Sequence, residues 1–131
     1  MNREPTQRAD NLARAVIGAA IEVHRTLGPG YQEKIYEEAL SVEFGIREIP
    51  YRRQHPVEVV FKGHSCGEGK LDFLVGDELV VELKAVDRLD AVHEAQVLSY
   101  LKVTGLSLGL LINFQTAMLK DGTRRVVLTN Q

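Results

Sequence analysis

Hydrophobic residues along the chain follow two rhythms, one of helical and one of strand period, and the changes between them mark most of the elements. Leu12, Val16, Ala20, Val23 and Leu27 recur at helical spacing, and Gly28-Pro29-Gly30 stops that helix. A second helix is expected from about Tyr31 to Phe44, ending at Gly45, with Tyr36, Leu40 and Phe44 on one stripe. Ile46 to Phe61 reads as extended, broken by Pro50 and Pro56. It leads through a polar turn at His64 to Gly69 into a strand from Lys70 to Val75. Gly76-Asp77-Glu78 reads as a hairpin turn, and Leu79 to Val86 is the strand that returns. Asp90 to Thr104 is helical and closed by Gly105. Leu106 to Phe114 is apolar enough for a sheet interior, and Arg125 to Leu128 forms a last, shorter strand. Two helices, a meander, a crossover helix and two strands predict an α/β (α+β) fold, a mixed central sheet flanked by helices.

Three charges interrupt this pattern. Leu79-Val80-Val81-Glu82-Leu83-Lys84-Ala85-Val86 is apolar on both faces except at Glu82 and Lys84, which point to the same side. Such a run reads as a central strand, where burying a carboxylate and an ammonium costs several kcal/mol unless they are compensated. Asp72 sits likewise among the apolar residues of the preceding strand. A three-residue loop at Gly76, Asp77 and Glu78 pairs Val75 with Leu79 and therefore Asp72 with Glu82. Directly opposed residues have Cβ atoms roughly 4.5–5.5 Å apart, close enough for two carboxylates to grip one cation. A two-residue loop would put them on opposite faces. An isolated E-x-K is usually a solvated pair; the apolar flanks and Asp72 across the hairpin favour a site, and the arrangement is that of a metal-dependent phosphodiesterase.

Polar groups also lie on apolar helix faces. Glu33 shares the stripe of Tyr36, Leu40 and Phe44, and His93, Gln96 and Tyr100 fall at i, i+3 and i+7 on the later helix. If both stripes face the sheet, Glu33, Gln96 and Tyr100 converge on the Asp72–Glu82–Lys84 face. Gln96 and Tyr100 read equally well as a hydrogen-bonded packing pair. His24 and His55 read as structural or surface groups, His64-x-Cys66 as an exposed turn, and Arg52-Arg53 and Arg124-Arg125 as solvated pairs.

Composition narrows the setting. At 131 residues the chain is expected to form one domain over 1–131, with the polar start at residues 1–8 prone to fray. A net charge of −2 gives no global pull on polyanions, so any nucleic-acid contact must be local. A single cysteine, Cys66, excludes an internal disulfide and fits a reducing cytoplasm. No run reads as a signal peptide or a membrane span, so no membrane association is expected.

Gly30-x-x-Glu33-x-x-Tyr36 resembles the signature of the bacterial and archaeal GxxExxY protein family, which is assigned to the PD-(D/E)xK nuclease superfamily. The likeness runs from His24-Arg25-Thr26-Leu27-Gly28-Pro29-Gly30 to Leu110-Leu111-Ile112-Asn113-Phe114. It implies a restriction-endonuclease-like αβββαβ core. It makes Asp72 the motif aspartate, Glu82 and Lys84 the E-x-K pair and Glu33 the first-helix acid. Gln96-Val97-Leu98-Ser99-Tyr100 resembles the Q-x-x-x-Y motif of exonuclease-like branches, and Leu71 replaces the proline of the superfamily name. In such a nuclease Asp72, Glu82 and the Leu83 carbonyl would hold Mg²⁺ or Mn²⁺, with Glu33 holding water on it or helping bind a second ion. Lys84 would orient the attacking water and stabilise the growing phosphorane charge, while Gln96 and Tyr100 position the site or the strand. The expected partner is nucleic acid, DNA ahead of RNA, with a homodimer or a protein partner supplying specificity. The rival from another class is a non-catalytic nucleic-acid-binding or scaffold subunit, against which the retained Asp, Glu and Lys argue.

Overall fold

The computed structural model of the protein describes residues 4–128. Two helices come first, α1 (Gln7–Leu27) and α2 (Glu33–Ile46). They are followed by β1 (Tyr51–Phe61), β2 (His64–Val75), β3 (Leu79–Lys84), α3 (Ala91–Thr104), β4 (Leu108–Asn113) and β5 (Thr123–Val127), with a short 3₁₀ turn at Leu119–Gly122. The strands form one sheet in the order β1-β2-β3-β4-β5. All neighbours are antiparallel except β3 and β4, which run parallel because α3 carries the chain back between them.

Helices cover both faces. Tyr36, Leu40 and Phe44 of α2 and Val16, Ala20 and Val23 of α1 pack on Phe73, Val81, Leu83, Leu110 and Ile112. On the other face Val97 and Leu101 of α3 pack on Leu74, Val80 and Leu111. α3 begins at a capping box, Asp90 with His93, and ends at Gly105, whose left-handed φ of 77° no side chain opposes. His93 is therefore a capping residue.

Two extended segments differ from the pattern-based expectation. Pro56 does not break β1, because β1 is an edge strand paired only with β2 and loses no second ladder there. His64 to Gly69 is not a turn; the turn is Lys62-Gly63 (φ 50° and 81°), with Phe61 paired to His64. The polar stretch is instead one strand of an exposed ribbon. β3 closes at Lys84 rather than Val86, and α2 runs on through Gly45 to Ile46. Of residues 1–8, expected to fray, 1–3 lie outside the described residues; Thr6 caps α1 through its hydroxyl on the Ala9 amide, and Arg8 bonds Glu78 at 2.8 Å.

The β1–β2 ribbon changes face along its length. Val75 and Phe73 pack in the α1/α2 layer, but Leu71, two residues further, packs in the α3 layer. On β1, Tyr51 packs against the first layer and Val57 in the second, although an even step should keep them together. The switch falls at Gln54, whose φ of 51° inverts the alternation, opposite Asp72 in a register that holds from Tyr51 to Val59 and shifts only beyond it, between Val59 and Val60. Asp72 therefore stands where the sheet passes from one helical layer to the other.

Candidate active site

β2 and β3 pair as Val75↔Leu79, Leu74↔Val80 and Phe73↔Val81. Gly76 and Asp77 both take left-handed φ (57° and 58°), and the Glu78 amide donates to the Val75 carbonyl at 3.1 Å. Glu78 is the additional residue that makes the loop three long, so Asp72 comes opposite Glu82 on the same side. The ladder stops one pair short of them. There the side chains take over: the Asp72 amide donates to Glu82 Oε1 at 3.0 Å, and the Leu83 amide donates to Asp72 Oδ2 at 2.8 Å. The two carboxylates fill the gap between parting strands and satisfy amides that the ladder leaves unpaired.

Glu82 is 3% exposed. Desolvation, then the Asp72 charge and a hydrogen bond with its carboxyl, push its pKa up to about 9; the Asp72 amide and Lys84 pull the other way. Glu82 thus keeps its proton at neutral pH. A proton held between two hard-oxygen carboxylates is what a divalent cation would replace, so the donor chemistry fits Mg²⁺ or Mn²⁺. Among the described residues no group of three or more His, Cys, Asp or Glu is placed to hold a metal ion. A cation here would complete its shell with the Leu83 carbonyl, water and substrate oxygens, as magnesium sites commonly do.

Lys84 lies two residues along the same face, half-buried, and its charge lowers the pKa of both Glu82 and Glu33. The end of its strand is clamped. The Phe114 amide donates to the Lys84 carbonyl at 2.9 Å, and the buried Asn113 side chain bonds both the amide and the carbonyl of Val86 at 3.1 and 2.9 Å.

Glu33 opens α2 and is half-buried; burial, then the Asp72 charge, raises its pKa. The Gly30-x-x-Glu33-x-x-Tyr36 spacing has a structural explanation. Gly30, at φ 121°, donates its amide to Gln115 Oε1 at 2.9 Å. Tyr36 is fully buried, stacks on Phe114 at 4.6 Å, and its hydroxyl donates to the Gly28 carbonyl at 2.5 Å. Loop and helix are thereby locked together with Glu33 turned towards Asp72.

α2 and α3 cover opposite faces, so Glu33 does not converge with Gln96 and Tyr100 on one face of the sheet. They approach the carboxylate pair from its two sides. The Tyr100 pKa is raised by burial and by the Glu82 charge, while hydrogen bonds with the Lys70 backbone and the Gln96 side chain hold it down. Gly69 makes room for this ring: a Cβ there would lie 2.9 Å from Tyr100 Cε1. Gln96 and Tyr100 are the hydrogen-bonded pair, and Tyr100 of the two lies within reach of the Glu82 charge.

Glu37 and Gln54, beside Asp72, were not singled out from the sequence, and Arg53, expected as half of a solvated pair, is half-buried because Glu37 and Glu38 bind its guanidinium. Glu37, 9% exposed, accepts from Arg53 Nε at 2.7 Å and from Gln54 Nε2 at 2.9 Å. Gln54 Nε2 also lies 3.4 Å from Asp72 Oδ1, and Arg53 reaches Glu38 at 2.6 Å. Together with Glu33 and Asp72 they wall an open cleft of about 570 Å³. Glu37 was legible, since it follows Glu33 by one helical turn beside the core stripe. No turn-forming residue type announces the left-handed Gln54. His24 is buried with Nε2 2.7 Å from the Thr116 carbonyl, and Cys66 is exposed and free, so neither belongs to the site. Among the described residues no helix is long and apolar enough to cross a membrane.

A family comparison matches residues 10–126 to the PD-(D/E)XK nuclease superfamily. No curated protein and no solved structure matches the chain.

Proposed function

The chain belongs to the PD-(D/E)XK nuclease superfamily, whose nucleases typically use divalent metals, and on that premise we propose that it hydrolyses phosphodiester bonds of DNA or RNA with Mg²⁺ or Mn²⁺. The reading includes membership of the GxxExxY branch, a single domain over residues 1–131 and a cytoplasmic setting. The observation that carries it is the Asp72–Glu82 pair, opposed across parting strands with the Glu82 proton retained to about pH 9 and Lys84 alongside.

Asp72, Glu82 and the Leu83 carbonyl would hold the cation, and Glu33 would hold water beside it. The bound ion would supply charge neutralisation at the phosphoryl oxygen and a more acidic water. Lys84 donates to the attacking water and to the oxygen on which negative charge grows. Glu82 gives up its proton as the site is charged, which couples ion binding to pH. Gln54, tethered by Glu37, fixes the orientation of Asp72, and Arg53 holds Glu37 in place. Gln96 holds the Tyr100 hydroxyl, and Tyr100 closes the Glu82 side against water.

The test is direct. Purified protein is incubated with linear, circular, single-stranded and branched DNA and RNA, with Mn²⁺ and with chelator. Cleavage that requires the ion and is lost in Lys84→Ala supports the reading. Nucleic-acid binding without cleavage under every condition favours the non-catalytic subunit instead.

A further inference from the structure

The cleft beside Asp72 sets four carboxylates, Glu33, Glu37, Glu38 and Asp72, against two cations, Lys34 and Arg53. The cations are not equivalent. Arg53 donates to Glu37 at 2.7 Å and to Glu38 at 2.6 Å, so its charge is held within the wall. Lys34 makes no ion pair among the described residues. Its partner one helical turn on would be Glu38, and Arg53 already holds that carboxylate. The Glu38 pKa is lowered first by the Arg53 hydrogen bond, whereas the Lys34 charge acts on it only weakly and through space. Nothing in the helix explains a cation at this place. Lys34 is the second residue of α2, where the positive end of the helix dipole disfavours it, and it is exposed.

An ammonium kept free against local electrostatics, on the wall of an acidic cleft that has to admit a polyanion, is placed for the polyanion. Glu33, the residue before it, has its pKa raised by burial and then by the Asp72 charge, and lowered by Lys84. The first turn of α2 therefore stands within electrostatic reach of both Asp72 and Lys84. Lys84 acts from the sheet and is taken up at the scissile phosphate. Lys34 acts from the helix, with no carboxylate to release before it can bind, and a neighbouring phosphate of the same strand is the anion left for it. We propose that Lys34 binds the phosphate next to the scissile one, so that the substrate is a polynucleotide linkage flanked by a second phosphate rather than an isolated phosphodiester. The proposal rests on the nuclease reading for which phosphate is cut, but the contact itself can be read without cleavage.

The experiment uses fluorescent single-stranded DNA carrying one uncharged methylphosphonate, moved along the strand linkage by linkage. Affinity is read by anisotropy in chelator and cleavage with Mn²⁺, for full-length wild type, Lys34→Ala and Lys34→Arg. Lys34→Ala should raise both Kd and KM about tenfold while kcat changes less than about threefold, and Lys34→Arg should recover most of the loss. The slope of log affinity against log salt should become shallower by about 0.7 in Lys34→Ala, the share of one phosphate contact on a single strand. At one linkage, next to the one that is cut, the methylphosphonate should weaken wild type about tenfold and Lys34→Ala no further. Lys34→Ala should melt at least as high as wild type, because the cation opposes the helix dipole. An unchanged salt slope, or methylphosphonate penalties equal in both proteins at every linkage, overturns the inference. The expected binding results without any cleavage in Mn²⁺ keep the Lys34 contact and defeat the nuclease reading instead.

Discussion

Glu82 carries its own pH signature. Its folded pKa of about 9 stands above its ordinary value of 4.5, so its contribution to stability is present below the latter and lost as pH rises through the former. Metal-free protein should therefore lose up to about 1.4 kcal/mol per pH unit across that window from this group. Glu82→Gln, which cannot titrate, should flatten the decline; urea denaturation at successive pH values reads both. If the two proteins fall in parallel, Glu82 is ionised in the folded state and the shared-proton description is wrong. Gln54 is a second test at this scale. Its left-handed backbone costs roughly 1–2 kcal/mol that glycine would not incur. Gln54→Gly should leave stability within about 1 kcal/mol of wild type while weakening Mn²⁺ binding several-fold by calorimetry, because the hold on Asp72 is gone. A loss of stability with unchanged Mn²⁺ affinity would make Gln54 a brace of the ribbon only.

At the scale of elements, the hairpin turn decides the site. Gly76 combines φ 57° with a crowded flank, since a Cβ there would lie 2.6 Å from Leu12 Cδ1. Gly76→Ala should cost about 1–3 kcal/mol by thermal melting, and deletion of Asp77, by forcing a two-residue loop, should abolish the Mn²⁺ response even in protein that still folds. The odd loop count was readable from Gly76-Asp77-Glu78, and with it the Asp72–Glu82 pairing, because side-chain alternation converts a turn length into a face. The parting of the strands just before that pair was not readable. It comes from carboxylates replacing ladder hydrogen bonds, which side-chain alternation does not encode. The exposed ribbon was missed for a related reason: polar residues at a turn and polar residues on a strand with solvent on both sides share one composition.

The whole molecule shows why both helical layers reach one site. A regular sheet would offer Asp72 to a single layer; the inversion at Gln54 lets it meet α2 while Glu82 faces Tyr100 of α3. Element order and the buried strands followed from periodicity, whereas the placing of α2 and α3 on opposite faces depends on chain handedness and connection, which periodicity does not carry. The folded protein should gain about 1.4 kcal/mol at Mn²⁺ tenfold above its dissociation constant, read as a rise in melting temperature. Asp72→Asn should lose that gain.

The most direct test of the account is Mn²⁺-dependent cleavage by Glu82→Gln set beside wild type and a chelator control. The account predicts cleavage by wild type with Mn²⁺, none with chelator, and none by a Glu82→Gln protein whose metal-free stability equals or slightly exceeds that of wild type. Undiminished cleavage by Glu82→Gln, or its unfolding without metal, would contradict it.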